Sequence, residues 1–505
     1  MKSRSSHFFA EKVSNNQLNN AGLIRTLRQK KDPKAQFDAS VNFSNGSLED
    51  FQFFINKVRK KPIRSLNVII SDANMDDNEF MIYIKNLVRL VNFKSLQSLT
   101  MTFEINLHSV KRLTPLRRAL STRHTYPIHL KVQGTAEDNV FMFNTITSFV
   151  RDCKPKTVGI PPSGLSEQQW KKLCNTIEKN TNLSNIAFIG CGLRTEKLPP
   201  LLKLLQSAKL KYLNLSCNDL KPTDVKALMA CLQAKNPNVE VRLNANEISE
   251  AAIDVINFRK AQKNPELDLR QCCIQDKNVA DIAIHCASFQ KIDLSWNNLT
   301  DKGLEEFLTM LQSKPNDIEH LNFSLNDFTK DSIDNLSRFL SDNPKWKSVT
   351  LSSFRIGQED FSAWEKLIEV IENHNTNLVE FNSGVIGGNT ALSTRLKAVL
   401  ERNSRLLGLK DDLQNLAKTA ENKQSSIELI KKIQKDLSHI RELPQHKLIY
   451  MPLGECIQQH RDYLLNKKDL ELTNIFDEIN SLFKESVKLS NEEPLSQAGS
   501  GMKLF

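Results

Sequence analysis

The sequence is short of the signatures that would give it chemistry. None of its nine cysteines forms a C-x-x-C pair, so neither a zinc ribbon nor a thiol redox motif is supported. Ten histidines are present, but no H-E-x-x-H occurs, and neither G-x-x-x-x-G-K-[ST] nor G-x-G-x-x-G is found. Metal-assisted hydrolysis and nucleotide use therefore have no motif to stand on. No run approaches the roughly 18 apolar residues that a membrane span requires. The opening Phe8, Phe9 and Ala10 are too short a run for the apolar core of a secretory signal. Glycine is scarce, 16 in 505 residues. These absences predict a protein without catalytic residues, metal, cofactor or small-molecule substrate, with most thiols buried in a reducing cytosol.

The charge is lopsided, +11 at pH 7 with a pI near 9.0. A solvated basic surface accounts for such an excess, and an acidic partner or an anionic membrane surface is the sharper expectation. Basic residues crowd the start: Arg25, Arg28, Lys30, Lys31 and Lys34, then Lys57, Arg59, Lys60 and Lys61. Aromatics are not interleaved with them, so a stacking platform for nucleic acid is not expected. At 505 residues the chain exceeds one ordinary core, which predicts two units or a solenoid.

A spaced apolar pattern fills most of the length. Leu210, Leu213, Leu215, Asn218 and Leu220 return as Phe289, Ile292, Leu294, Asn297 and Leu299, and again as Ile318, Leu321, Phe323, Asn326 and Phe328. This resembles the leucine-rich-repeat consensus L-x-x-L-x-L-x-x-N-x-L. With the Asn position as marker, the series reads Gly46, Ser71, Glu104, Thr135, Ser163, Cys191, Asn218, Asn246, Cys272, Asn297, Asn326 and Phe354. A degenerate copy follows from Leu378 and Phe381, making about thirteen repeats over residues 37–404. Stripes such as Val225, Leu228 and Leu232 lie between the strands at helical spacing.

Repeats near 28 residues (246−218) with a full helix resemble the ribonuclease-inhibitor class. That resemblance implies an α/β solenoid, a horseshoe with strands inside and helices outside, whose concave face grips proteins. Spacings of 33 (104−71) and 31 (135−104) predict insertions near Asp76–Glu79 and Arg112–His124, as surface loops or as added contacts. Phe354 in place of Asn, and Ser383 in place of an inward leucine, mark a loosening register.

Strand residues between the inward leucines are expected on the concave side. The candidates for protein binding are Tyr212, Asn214, Arg242, Asp268, Arg270, Asp293, Trp296, His320, Asn322 and Thr350. Trp, Tyr and Arg dominate interface hot spots, which puts Trp296 first. The competing reading packs Trp296 on Leu325 and pairs Arg242, Asp268, Arg270 and Asp293 with one another along the strands.

Beyond the repeats the pattern changes. Residues 1–36 read as a basic cap, 405–489 as a small α-helical bundle, and 490–505 as a flexible tail. The bundle rests on the stripe Leu406, Leu409, Leu413, Leu416, a second through Ile427–Ile440, and two more around Tyr463 and Ile479. It would cap the last repeat or recruit something independently. The tail, with Glu492, Glu493 and terminal Leu504-Phe505, resembles the C-terminal signals of type IV secretion substrates of Legionella and Coxiella. That resemblance implies a bacterial effector acting in host cytoplasm as a scaffold on a host or cytosolic protein. The alternatives are an adaptor or ubiquitin-pathway enzyme acting through the bundle, and a cytosolic regulator of a small GTPase. Cys456 is followed by Ile457 and Gln458, without the Asp of an effector ligase's C-x-D motif.

Overall fold

The computed structural model describes residues 37–42, 63–70, 76–92, 96–104, 113–121, 128–133, 139–160, 165–342, 346–353, 355–356, 361–384 and 389–419. Outside the described residues lie the basic cap 1–36, Phe354, Cys456, every helical stripe after Leu416, and the tail 490–505. The chain divides into two units, Met1–Gln262 and Lys263–Phe505.

Each unit is a run of parallel strands with helical connections. The first holds β1 (Phe37–Asn42), β2 (Ile63–Ile70), β3 (Ser98–Glu104), β4 (Ile128–Gln133), β5 (Thr157–Ile160), β6 (Asn185–Phe188), β7 (Tyr212–Asn214) and β8 (Glu240–Arg242), paired in chain order. The second holds β9 (Glu266–Asp268), β10 (Lys291–Asp293), β11 (His320–Asn322), β12 (Ser348–Thr350) and β13 (Glu380–Asn382), also in chain order. Repeated strand–helix units of this kind form an α/β leucine-rich-repeat solenoid.

The consensus residues are the core. Leu213, Leu215 and Leu220 are fully buried, as are Leu294, Leu299 and Phe328. The helix Pro222–Lys235 starts on Pro222, whose missing N–H costs nothing in a first turn, and it buries Val225, Leu228 and Leu232. The helix Glu167–Glu178 is held by a capping box between Ser166 and Gln169.

The marker Asn residues act as predicted. Asn326 Nδ2 donates to Leu294 O (3.0 Å) and Phe323 O (2.8 Å), while its Oδ1 accepts from Asn297 N and Leu299 N (both 3.1 Å). Asn297, Asn246 and Asn218 repeat the arrangement. One buried amide thus satisfies backbone groups that a turn away from sheet geometry would leave orphaned. Near Phe354, Ser353 Oγ takes over, 2.7 Å from Phe328 O and 3.1 Å from Asn326 O.

A second ladder of amides closes the helices. Asn236 Nδ2 donates to Leu205 O (2.7 Å) and its Oδ1 accepts from Leu210 N (3.0 Å). Asn180 and Asn375 do likewise. Their signature, Asn-x-x-Leu/Val at Asn180, Asn236 and Asn375, recurs at Asn403-x-x-Leu406. There the chain stays helical, from Thr390 to Thr419. Asn403 still reaches Asn375 O and Leu378 O (both 2.9 Å), and Leu406 is buried like the first leucine of a repeat. The last helix therefore crosses residue 405 unbroken and covers the final repeat. Arg402, 2% exposed, donates to Glu372 O (2.9 Å), and Arg395 pairs with the Glu372 carboxylate.

Two expectations need correction. The strand register puts Val158 level with Leu130, Leu130 with Met101, and Met101 with Val68. The marker series had set Leu130 level with Leu99, and the markers at Ser71 and Glu104 are each two residues early. Side chains alternate with a period of two, so a two-residue slip leaves the same face inward. The true steps are 33 (101−68) and 29 (130−101) residues. The step of 33 thus stands and that of 31 becomes 29, and the described parts of the two regions are repeat helix. Asp76 caps the helix Asp77–Val91 by accepting from Asn78 N and Glu79 N (2.8 Å each), and Thr114–Ser121 is helical.

Candidate protein-binding surface

Strand alternation turns two residues per strand away from the helices. In the unit from Lys263 onward these form two rows by register. Glu266, Lys291, His320, Ser348 and Glu380 are level with one another, and so are Asp268, Asp293, Asn322, Thr350 and Asn382.

The second row is tied together. Arg270 Nε and Nη2 donate to the two oxygens of Asp268 (3.0 and 2.8 Å), and the guanidinium lies 3.5 Å from Asp293. Asp293 also accepts from Ser295 N (2.9 Å), Ser295 Oγ (2.5 Å) and Asn322 Nδ2 (3.1 Å). The hydrogen bonds to Asp268 hold the Arg270 pKa above its ordinary value. Burial pushes the Asp293 carboxyl up, against the pull of Ser295. In the first row Lys291 pairs with Glu266 (3.1 Å), and beside it Lys347 pairs with Glu319 (2.9 Å). Burial and the nearby Lys291 push His320 down, although Glu319 lies 4.0 Å away.

The unit up to Gln262 places its candidates differently. Tyr212 and Asn214 are only 7% and 5% exposed. Asn214 Nδ2 donates to Tyr212 Oη (3.3 Å), and the Arg242 guanidinium lies over the Tyr212 ring at 5.8 Å while pairing with Glu240 at 3.5 Å. The row that leads to Tyr212 and Glu240 begins with neutral groups: His129 Nδ1 is 2.8 Å from Thr157 Oγ1, and Asn185 Nδ2 donates to the same hydroxyl (3.1 Å). Thus Tyr212, Asn214 and Arg242 form one cluster, and Asp268, Arg270, Asp293 and Asn322 another. His320 stands in the adjoining row, and Thr350 is level with Asn322.

Trp296 is not on a strand. One residue before each ladder position the backbone turns left-handed: Gly190, Cys217, Ala245, Gln271, Trp296 and Leu325 have φ between 53° and 64°. Only one of the six is glycine, although the conformation costs other residues about 1–2 kcal/mol. The recompense is a bond to the next repeat, as from Trp296 N to Ser324 O (2.9 Å) and from Gln271 N to Ser295 O (3.1 Å). The turn throws the indole outward, and Trp296 is 52% exposed.

Sequence reading missed Glu266, Lys291 and Glu380 as members of the surface. Counting back one residue from each inward leucine would have found them. It also missed the burial of Tyr212 and Asn214, which depends on side chains in other repeats. Every described cysteine is a free thiol, and burial pushes Cys272 well up and Cys153 up to about 12. Among the described residues no three His, Cys, Asp or Glu side chains are grouped to hold a metal, and no helix is long and apolar enough to cross a membrane.

A family described as Leucine Rich repeat matches residues 206–229 and 285–308. The human NACHT, LRR and PYD domains-containing protein 13 is 22% identical over 199 residues, 38% of this chain and 19% of that protein. The chain thus spans about a fifth of that relative's length. Among solved structures, the chain titled Leiomodin-1 Actin-Binding Site 2 (ABS2) is 16% identical, with a TM-score of 0.28, over 33% of this chain and 98% of that one; nothing is drawn from so slight a likeness. The family match, the strand order and the amide ladder agree that this chain carries leucine-rich repeats. Domains of this class generally bind other proteins.

Proposed function

We propose that the chain is a non-enzymatic scaffold that grips a partner protein with the strand face and adjoining turns of its repeats. The observation that carries this is Trp296. Of four tryptophans, Trp170, Trp346 and Trp364 are at most 1% exposed, whereas Trp296 is 52% exposed beside a row of polar side chains. A large aromatic left in water next to hydrogen-bonding groups is the composition of an interface centre. The test is capture from a eukaryotic lysate, with the full chain beside Trp296→Ala, read by mass spectrometry. The reading expects a partner whose recovery falls at least about tenfold in the variant. Equal recovery by both chains would remove the surface from the account.

The finer assignments rest on sequence. Repeat length and full helices support the ribonuclease-inhibitor-like class. The residue pattern of 490–505 supports a bacterial effector delivered to host cytoplasm. A translocation reporter fused to the full chain and to a chain lacking 490–505 tests this; delivery that survives the deletion rejects it.

A further inference from the structure

The charge excess belongs to one of the two units. Residues 1–262 hold 39 Lys and Arg against 22 Asp and Glu, a balance of +17 (39−22). Residues 263–505 hold 30 against 36, a balance of −6 (30−36). Both units repeat the same strand and helix, so the repeat itself does not require the split. Such asymmetry between the halves of a chain points to an anionic partner for the basic half.

Part of that excess sits where helices end and strands begin. Lys154 and Lys156 lead into β5, and Lys209 and Lys211 into β7. Lys179 follows the helix Glu167–Glu178, and Lys235 ends the helix Pro222–Lys235. All six are exposed. Lys156, Ser184 and Lys211 occupy successive rungs, since Ser184 N donates to Lys156 O (2.9 Å) and Lys211 N to Ser184 O (2.7 Å). Two strand spacings therefore separate Lys156 from Lys211, about 10 Å. A helix C-terminus favours lysine through its dipole, which accounts for Lys179 and Lys235 but not for the four at the strand entries. The acids close by are already taken: Arg117 and Arg151 share Asp152, Lys203 pairs with Glu178, and Arg242 with Glu240. Among the described residues none of the six lysines pairs with a carboxylate. In the other unit the same edge is balanced, with Lys347, just before β12, paired to Glu319, just before β11.

The composition of the edge selects its occupant. Among the described residues the exposed large apolar side chains are Ile284 and Trp296, both in the other unit. The lysine edge thus has neither the aromatic anchor of a protein interface nor the stacking platform of a single-stranded nucleic-acid site. Arg117, Arg151 and Arg242, whose planar forks suit directed phosphate contacts, are engaged with carboxylates. What remains is a set of hydrated ammonium groups. An anionic leaflet attracts such groups by its field, within about a Debye length and without directed contacts.

We propose that the strand-entry edge of β5–β7 docks the chain on an anionic membrane surface, with Lys154, Lys156, Lys209 and Lys211 against the phospholipid headgroups. Trp296, on which the scaffold reading rests, belongs to the other unit, and lysate capture tests that reading separately.

The experiment sediments the full chain with vesicles of phosphatidylcholine alone and with vesicles containing about 30% phosphatidylserine. The chain should bind the second kind only, and at least about tenfold more weakly at about 0.3 M than at about 0.05 M salt. Lys156→Gln/Lys211→Gln should lose about tenfold or more in affinity, and Lys154→Gln/Lys209→Gln the same. Lys302→Gln/Lys330→Gln, which removes as much charge from the other unit, should bind like the unchanged chain. Equal weakening by all three double variants, binding untouched by the first two, or equal binding to both kinds of vesicle overturns the proposal. A DNA duplex or a Glu/Asp peptide held more tightly than the anionic vesicles, with the same sensitivity to Lys156→Gln/Lys211→Gln, would put another polyanion in place of the membrane and also overturn it.

Discussion

Up to Gln262 the middle of the strand face is held by neutral hydrogen bonds, His129 to Thr157, Asn185 to Thr157 and Asn214 to Tyr212. From Lys263 onward the corresponding rows are held largely by ion pairs, Lys291 with Glu266 and Arg270 with Asp268 and Asp293. The strand and turn geometry is shared, so stability of the repeat does not dictate which chemistry is used. Ion pairs this exposed contribute only about 0–1 kcal/mol each, no more than the neutral bonds at about 1 kcal/mol. What the charges add is a dependence on salt, which the neutral bonds lack. In the earlier unit Tyr212 and Asn214 are buried and hydrogen-bonded to each other.

The comparison can be broken first at what the units share. Asn218→Ala and Asn326→Ala should each cost about 3 kcal/mol or more, because each leaves several buried backbone groups unpaired. Urea unfolding that finds one ladder dispensable would show that the units are not built alike. Next comes Gly303, at the start of the helix Asp301–Gln312, where a Cβ would lie 2.7 Å from Asp276 Cγ and 3.3 Å from its Cα. Gly303→Ala should destabilise the unit from Lys263 by about 1–3 kcal/mol, with the earlier unit unchanged by hydrogen exchange.

Smaller effects sharpen the contrast in chemistry. Arg270→Ala should cost about 1 kcal/mol at low salt and less at high salt, whereas Asn185→Ala should cost about 1 kcal/mol at any salt. Denaturation midpoints across a salt series check this, and a salt-independent Arg270 variant would contradict it. The smallest effect is in pH. His320 lies below its ordinary 6.5 in the folded chain, so its contribution is present above that value and lost as pH falls through the folded pKa. Asp293 is raised, so its contribution is greatest below the usual carboxylate range and lost as pH rises through its folded pKa. His320→Asn should flatten the midpoint on the acid side of neutrality, and Asp293→Asn the slope just above the carboxylate range.

Much of this was legible in the sequence because the repeat writes its core position by position. Leu213, Leu215 and Asn218 predict a strand, an inward face and a turn without reference to anything distant. The slip at Leu66 and Leu99 was not legible, since a two-residue shift preserves the pattern and only hydrogen-bond register reveals it. Nor was the continuous helix through Asn403: the Asn-x-x-Leu motif there matches Asn375-x-x-Leu378, yet no strand follows among the described residues. At the surface, Trp296 stood out by type and place. The pairing of the surface charges did not, because it joins residues of neighbouring repeats, some 25 positions apart as are Lys291 and Glu266.

The most direct test of the central claim is hydrogen–deuterium exchange on the full chain, free and with the captured partner. New protection is expected at Ser295–Asn297 and along β9–β11, with the outer helices such as Asp301–Gln312 unchanged. Protection confined to those helices, or to residues after Thr419, would contradict it.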